Sequence, residues 1–270
     1  MKDYIKQVIS TGKHIDGRDL EEFRDPISIE TGISSKAEGS ARVKIGKTEV
    51  IAGVKMEIGT PYPDSPDEGT IIISAELLPM SNPNFESGPP GIQAIEMARV
   101  IDRGIRESGY IDFKKLCIKK GEQIWMVLID IFSLNDEGNL LDAAALAVMA
   151  ALKDAKFPVV KDDRVDYGNL STKKLPLDDK ITPITVTVHK IGDKLLVDPT
   201  YQEEEEITSK IIIGIKSDKN ISSMQKGGED GLTIEEIDKM VTIAQKNVEK
   251  LAKLLKWKHK QTTQNMKLHE

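Results

Sequence analysis

The sequence predicts an α+β protein in which mixed sheets are covered by helices. Three observations carry this. Apolar, β-branched segments come in blocks, each block is followed by a helical segment, and Gly/Pro/Asn-rich breaks separate them. Taken in order, residues 2–11 form a short helix, and Asp16-Gly17 opens a polar, charged stretch ending at Pro26. Residues 27–29, 41–45 and 49–58 read as strands, with Gly46-Lys47 as the turn between the last two. A loop with three prolines covers 59–69, and a β-branched strand follows at 70–78. A second loop over 79–91 leads into a helix at 92–106.

Residues 123–134 form a long apolar strand that stops at Asn135-Asp136-Glu137-Gly138. The helix at 140–153 is Ala/Leu-rich and apolar nearly all round, which marks it as buried. A polar connection with Pro158 and Pro176 spans 154–180. A second β region follows at 184–190, 194–198, 211–216 and 220–225. Thr233-Ile-Glu-Glu236 is a capping box that starts the last helix, whose apolar stripe is Ile237, Val241, Ala244, Val248, Leu251 and Leu255. From Lys258 the chain is polar and is expected to fray.

The 270 residues suffice for one large domain or two small ones. With 4% aromatic residues, the core must be built from Ile, Leu, Val, Ala and Met. A net charge of −6 argues against a broad basic surface, so any nucleic-acid contact has to be local or shared with a more basic partner. The single cysteine, Cys117, excludes an internal disulfide and a cysteine-built zinc site and fits a reducing compartment. It reads as a small strand residue rather than a nucleophile. No apolar run reaches membrane-spanning length and Met1-Lys-Asp-Tyr is no signal peptide, so a cytoplasmic location is expected.

In the helix at 92–106, Arg99, Arg103 and Arg106 fall at i, i+4 and i+7, within an arc of about 60° on one face. Ala94, Ala98, Ile101 and Ile105 cluster opposite, so the helix can dock and hold its arginines outward. Three guanidinium forks in one stripe suit a polyanion. Taken alone, a charged helix face is more often a solvated one, and its local partners here would be Glu96, Asp102 and Glu107.

Gly46-Lys47-Thr48 is not a phosphate loop, because the required upstream glycine is Ala41 and strands flank the site. The run Glu203 to Glu206 reads as a solvated acidic edge of an extended segment rather than a metal site. His14, His189, His259 and His269 lack partners at catalytic or metal spacing and read as surface or satisfied residues. Asp136-Glu137-Gly138-Asn139 enters a helix N-terminus, a ready phosphate cradle. Here Leu140 and Leu141 donate nothing from their side chains, and Asp142 is placed to use the positive helix end itself.

The order of motifs resembles the RNase PH family. The match is carried by Asp16-Gly17-Arg18 with Phe23-Arg24, Gly39-Ser40-Ala41, and Leu77-Leu78-Pro79 with Glu86 and Gly88-Pro89-Pro90. It continues through the arginine helix, Asp130-Ile-Phe, the Asp142-Ala-Ala helix and Leu196-Val-Asp198-Pro199-Thr200, and so runs over about residues 14–256. The resemblance implies an RNase PH-like fold of the ribosomal protein S5 domain 2-like superfamily. It implies one domain over 1–257, with halves at about 14–156 and 181–257, and a polar tail at 258–270.

Gly88-Pro89-Pro90, Asn139-Leu-Leu-Asp142-Ala and Asp198-Pro199-Thr200 followed by glutamates look, more narrowly, like the non-catalytic RNase PH-like subunits of the archaeal exosome. In that family three such subunits alternate with three catalytic paralogues in a hexameric ring. The ring degrades single-stranded RNA from its 3′ end with inorganic phosphate, under RNA-binding cap subunits. Active relatives carry a small hydroxyl residue and then Arg or Ser after the glycine of the phosphate turn, where this chain has Asn139 and Leu140. Their paired aspartates fall near Glu204 and Lys210, and a lysine cannot replace an acid that holds Mg²⁺ or gives a proton. The resemblance therefore implies no catalytic residues, no metal and no cofactor in this chain. It assigns Arg99 and Arg103 to the RNA backbone and leaves Asp102 and Arg106 as structural ion-pair partners. The alternative is a phosphate-dependent 3′–5′ exoribonuclease active in its own right.

Overall fold

The computed structural model describes residues 2–161 and 164–266. In chain order the elements are α1 (Lys2–Ser10), β1 (Ile27–Thr31), β2 (Gly39–Ile45), β3 (Thr48–Gly59), β4 (Thr70–Glu76) and α2 (Ile92–Arg106). Then come β5 (Cys117–Lys119), β6 (Gln123–Asn135), α3 (Leu140–Asp154), β7 (Lys156–Lys161) and β8 (Arg164–Lys174). The last part holds β9 (Pro183–Ile191), β10 (Lys194–Val197), α4 (Tyr201–Glu204), β11 (Ser209–Lys216), β12 (Ile221–Gly228) and α5 (Ile234–Met266).

The first sheet runs β1-β2-β3-β6-β4, antiparallel except for the parallel β6–β4 pair, with β5 appended to β6. Gly46 supplies the hairpin between β2 and β3 with a φ of 56°, a conformation that favours glycine. The second sheet is antiparallel in the order β10-β9-β11-β12. Residues in β3 alternate between buried and half-buried, as expected of a sheet covered on one face. β11 is buried on both faces along Ile211–Ile215 because α2 and α3 lie on one side of its sheet and α5 on the other. α3 packs on both sheets at once, which explains its apolar surface all round.

Three expectations are corrected. The connection at 154–180 contains a two-stranded ribbon, β7 with β8, whose exposed faces leave no period-2 pattern to read. The glutamates after Tyr201 begin in the short helix α4 instead of an extended edge, so successive side chains diverge by helical steps. Finally, α5 continues to Met266, into the tail placed at 258–270, since no glycine or proline interrupts Lys258–Met266 in that sequence. Residues 267–270 of that tail lie outside the described residues. The Thr233 capping box forms as read: Thr233 N–H donates to Glu236 Oε2 at 2.9 Å and Glu236 N–H to Thr233 Oγ1 at 3.2 Å.

Candidate nucleic-acid interface

α2 docks by Ala94, Ala98, Ile101 and Ile105, all buried, and turns Arg99, Arg103 and Arg106 to solvent. The three arginines are not equivalent. Arg106 Nε and Nη2 donate to the Asp102 carboxylate at 3.0 and 2.8 Å, and Nη2 also donates to the Ile71 carbonyl at 2.9 Å. Its guanidinium lies 5.6 Å from the Phe113 ring centroid. Arg106 thus ties α2 to β4. Arg99 and Arg103 have no hydrogen-bond or ion-pair partner among the described residues. Of the local acids available, Asp102 is taken by Arg106, and Glu96 Oε1 accepts from Gln225 Nε2 at 3.1 Å. Both free arginines line a groove of about 410 Å³ between α2 and the edge strand β4. Helical spacing puts Ile92 and Ile95, which are 86% and 48% exposed, on the same face one turn upstream.

The turn into α3 faces a second cavity, of about 270 Å³, one wall of which is Gln93, Glu96 and Met97 of α2. Leu140, Leu141, Glu204, His189 and Lys210 all line it, so Glu204 and Lys210, near which the resemblance puts the acid pair, do converge. Beneath this cavity lies a buried ion pair that connects distant parts of the chain. Arg24 Nε and Nη2 donate to Asp198 Oδ2 and Oδ1 at 3.0 and 2.8 Å, and Arg24 N–H donates to Oδ2 at 2.6 Å. Arg24 Nη2 also donates to the Gly138 carbonyl at 2.8 Å, and Nη1 donates to the Glu137 carbonyl. Asn139 Nδ2 completes the set at Asp198 Oδ1, 2.9 Å away. At Gly138 the φ is 94°, and an added Cβ would lie 2.4 Å from the Pro199 carbonyl oxygen, so only glycine fits.

The acids around this turn depart from the sequence reading. Asp142 does not use the helix end. It is buried and accepts from Thr187 N–H at 3.0 Å and Thr187 Oγ1 at 2.7 Å, and burial raises its pKa from 3.8 to about 7. Glu204 takes the turn instead: its Oε1 accepts the Asn139 N–H at 2.7 Å, and burial raises it to about 7. Glu203 is no solvated acid. It points back to His14, whose Nδ1 is 2.9 Å from Oε2, and accepts the Ile15 N–H at 2.8 Å. Burial alone would raise its pKa, but the contact with His14 and the N–H groups of Ile15 and Thr200 together outweigh that and hold the carboxyl below its usual range. His189 is also buried, with neither ring nitrogen partnered among the described residues, and burial lowers its pKa to about 3. Neither histidine is a surface residue. No cluster of three or more metal-ligating side chains occurs among the described residues, and no described helix is long and apolar enough to cross a membrane.

Comparison with known proteins gives a consistent result. Residues 22–158 match domain 1, and residues 182–247 domain 2, of the 3′ exoribonuclease family. The exosome complex component Rrp42 of Methanothermobacter thermautotrophicus is 46% identical over 261 residues, 96% of this chain and 94% of that protein. The Rrp42 of Methanosarcina acetivorans is 47% identical over 253 residues, 94% of this chain and 91% of that protein. Among solved structures, a chain of the Archaeoglobus fulgidus exosome with RNA bound to the active site superposes with a TM-score of 0.86 at 43% identity, covering 93% of this chain and 96% of that one. A chain of an archaeal exosome core superposes with a TM-score of 0.82 at 41% identity, over 94% of this chain and 96% of that one.

Proposed function

The chain belongs to the 3′ exoribonuclease (RNase PH) family, and we propose that it is a non-catalytic subunit of an archaeal exosome; its relatives are named exosome complex component Rrp42. In this reading it alternates with a catalytic RNase PH-like paralogue in a six-membered ring of the cytoplasm, beneath RNA-binding cap subunits. It shapes the paralogue's active site and lends it Arg99 and Arg103 as phosphate contacts. Such contacts hold a strand in register without reading its bases.

The observation that carries the reading is the pairing of two neighbouring features. Arg99 and Arg103 are exposed and without ion-pair partners among the described residues, beside a cavity lined by Leu140, Leu141 and Lys210. Phosphorolysis of a phosphodiester requires a placed phosphate nucleophile and a stabilised leaving oxygen. Leucines and a lysine at these positions supply neither a phosphate-orienting hydroxyl nor a proton-donating acid pair. The exposed Ile92, Ile95 and Ile72 around the groove, together with the open edge of β4, suit a subunit interface.

The test is phosphate-dependent shortening of RNA by the purified chain, alone and with the catalytic paralogue. Release of nucleoside diphosphates only by the complex is expected. Turnover by contaminant-free chain alone would establish the autonomous exoribonuclease instead.

A further inference from the structure

The cavity at the start of α3 holds an acid for which the proposed function has no use. Glu204 lies just beyond the Asp198-Pro199-Thr200 corner and reaches into the turn, where Oε1 accepts the Asn139 N–H at 2.7 Å. That N–H belongs to the N-cap of a 15-residue helix, whose first donors have no partner within the helix and sit at the positive end of its dipole. An incoming oxyanion would be received at this point. The next donor upstream is also engaged from inside the chain, with Gly138 N–H on Asp136 Oδ1 at 3.0 Å. The cavity is nevertheless built as a polar site: His189, only 4% exposed, lines it with two unpartnered ring nitrogens, and Lys210 lies on its wall near enough to act on Glu204.

We propose that Glu204 is a built-in anion occupying the oxyanion position at the start of α3, so that this chain excludes inorganic phosphate from a cavity otherwise fit to hold it. The inference rests on the reading of the chain as non-catalytic and adds a cause to it. The turn lacks phosphate-orienting hydroxyls, and a carboxylate stands at its free N–H. With Glu204 ionised, an entering phosphate meets its charge and that of Asp136, which also lines the cavity. With Glu204 neutralised, the same position offers the Asn139 N–H, the Lys210 ammonium and the His189 ring, a donor set suited to phosphate oxygens. Burial raises Glu204 to about 7, so the plug is charged above neutral pH.

The experiment follows the Asn139 amide by NMR in the full chain while inorganic phosphate replaces chloride at constant ionic strength, at about pH 8, one unit above that titration. The wild-type resonance is expected not to move. In Glu204→Gln and in Glu204→Ala it should shift saturably. The unfolding midpoint of these variants should then rise by about 3–6 °C at phosphate tenfold above its Kd. A wild-type amide that responds as strongly as the variants overturns the proposal, and so do folded variants that ignore phosphate. Should both variants unfold, wild type at about pH 5.5, where Glu204 is protonated, takes their place, and an unresponsive amide there has the same consequence. No arm reads RNA turnover, so failure here is separable from failure of the non-catalytic reading.

Discussion

Replacing Arg99 and Arg103 by alanine in the assembled ring tests the RNA contacts with a magnitude that can be worked out beforehand. Both side chains are exposed and unpaired among the described residues, so truncation strands no buried carboxylate, and folding should change by less than about 0.5 kcal/mol. Each phosphate neutralised on a single strand contributes about 0.7 to the slope of log affinity against log salt. Loss of both contacts should flatten that slope by about 1.4 for an RNA touching one copy of the chain. From about 50 to 200 mM salt, a fourfold change, the deficit of the mutant ring should therefore shrink about sevenfold. The deficit should be nearly the same for RNAs of different sequence. Filter binding at the two salt concentrations, after the mass of the ring is confirmed, is the assay. Arg106→Ala is the internal control: it loses the Asp102 and Ile71 contacts, so it should cost about 1 kcal/mol of stability and leave the slope alone. Equal affinity and equal slope in intact Arg99/Arg103 mutant rings would refute the phosphate contacts.

Asp198→Ala leaves the Arg24 guanidinium buried beside Gly138 without its carboxylate, and should destabilise the fold by about 3–5 kcal/mol in chemical denaturation; a loss below about 1 kcal/mol would show that the pair is not an uncompensated charge once broken. Asp142 is raised from 3.8 to about 7 in the folded chain. Its contribution is therefore complete at pH values below the unfolded pKa and is lost as pH rises through the folded one, at up to about 1.4 kcal/mol per pH unit. Asp142→Asn should remove that slope between about pH 4 and 7, and denaturation curves that stay parallel to wild type would count against the buried, protonated acid. Ile95→Asp puts a charge on the exposed face of α2 and should weaken assembly with the paralogue more than about 30-fold by light scattering, provided that face is buried in the ring; an unchanged ring mass at low micromolar concentration would place the interface elsewhere.

Those parts of the molecule that obey a local period were legible in the sequence. α2 starts and stops at Ile92 and Arg106, as its apolar and basic faces require, and the capping box at Thr233 forms with its expected partners. What escaped are pairings between residues remote in sequence. Arg24 and Asp198 are 174 positions apart, and His14 and Glu203 are 189 apart. Nothing in the local pattern around either partner announces the other. A run of glutamates in particular misleads: like charges in a row suggest a solvated stretch, yet a single helical turn sends Glu203 back to His14 and Glu204 forward to Asn139.

On the proposed function, the same contrast accounts for a chain that contacts RNA without turning it over. Holding RNA requires charges on a surface, and a surface stripe survives so long as the docking face of its helix does. Arg99 and Arg103 depend only on Ala94, Ala98, Ile101 and Ile105 staying buried. Turning over a phosphodiester requires several groups from distant segments to meet at one helix start within a few tenths of an ångström. In this chain that meeting place is preserved by Arg24, Asp198, Gly138 and Asn139, but its contents are Leu140, Leu141, Glu204 and Lys210. The buried frame is under the stronger constraint: breaking Arg24–Asp198 is expected to leave a buried charge uncompensated, whereas Lys210, on the cavity wall, has no such partner to strand among the described residues. A subunit that must still fit a ring is therefore expected to keep the frame and the outward arginines after its own catalysis is gone.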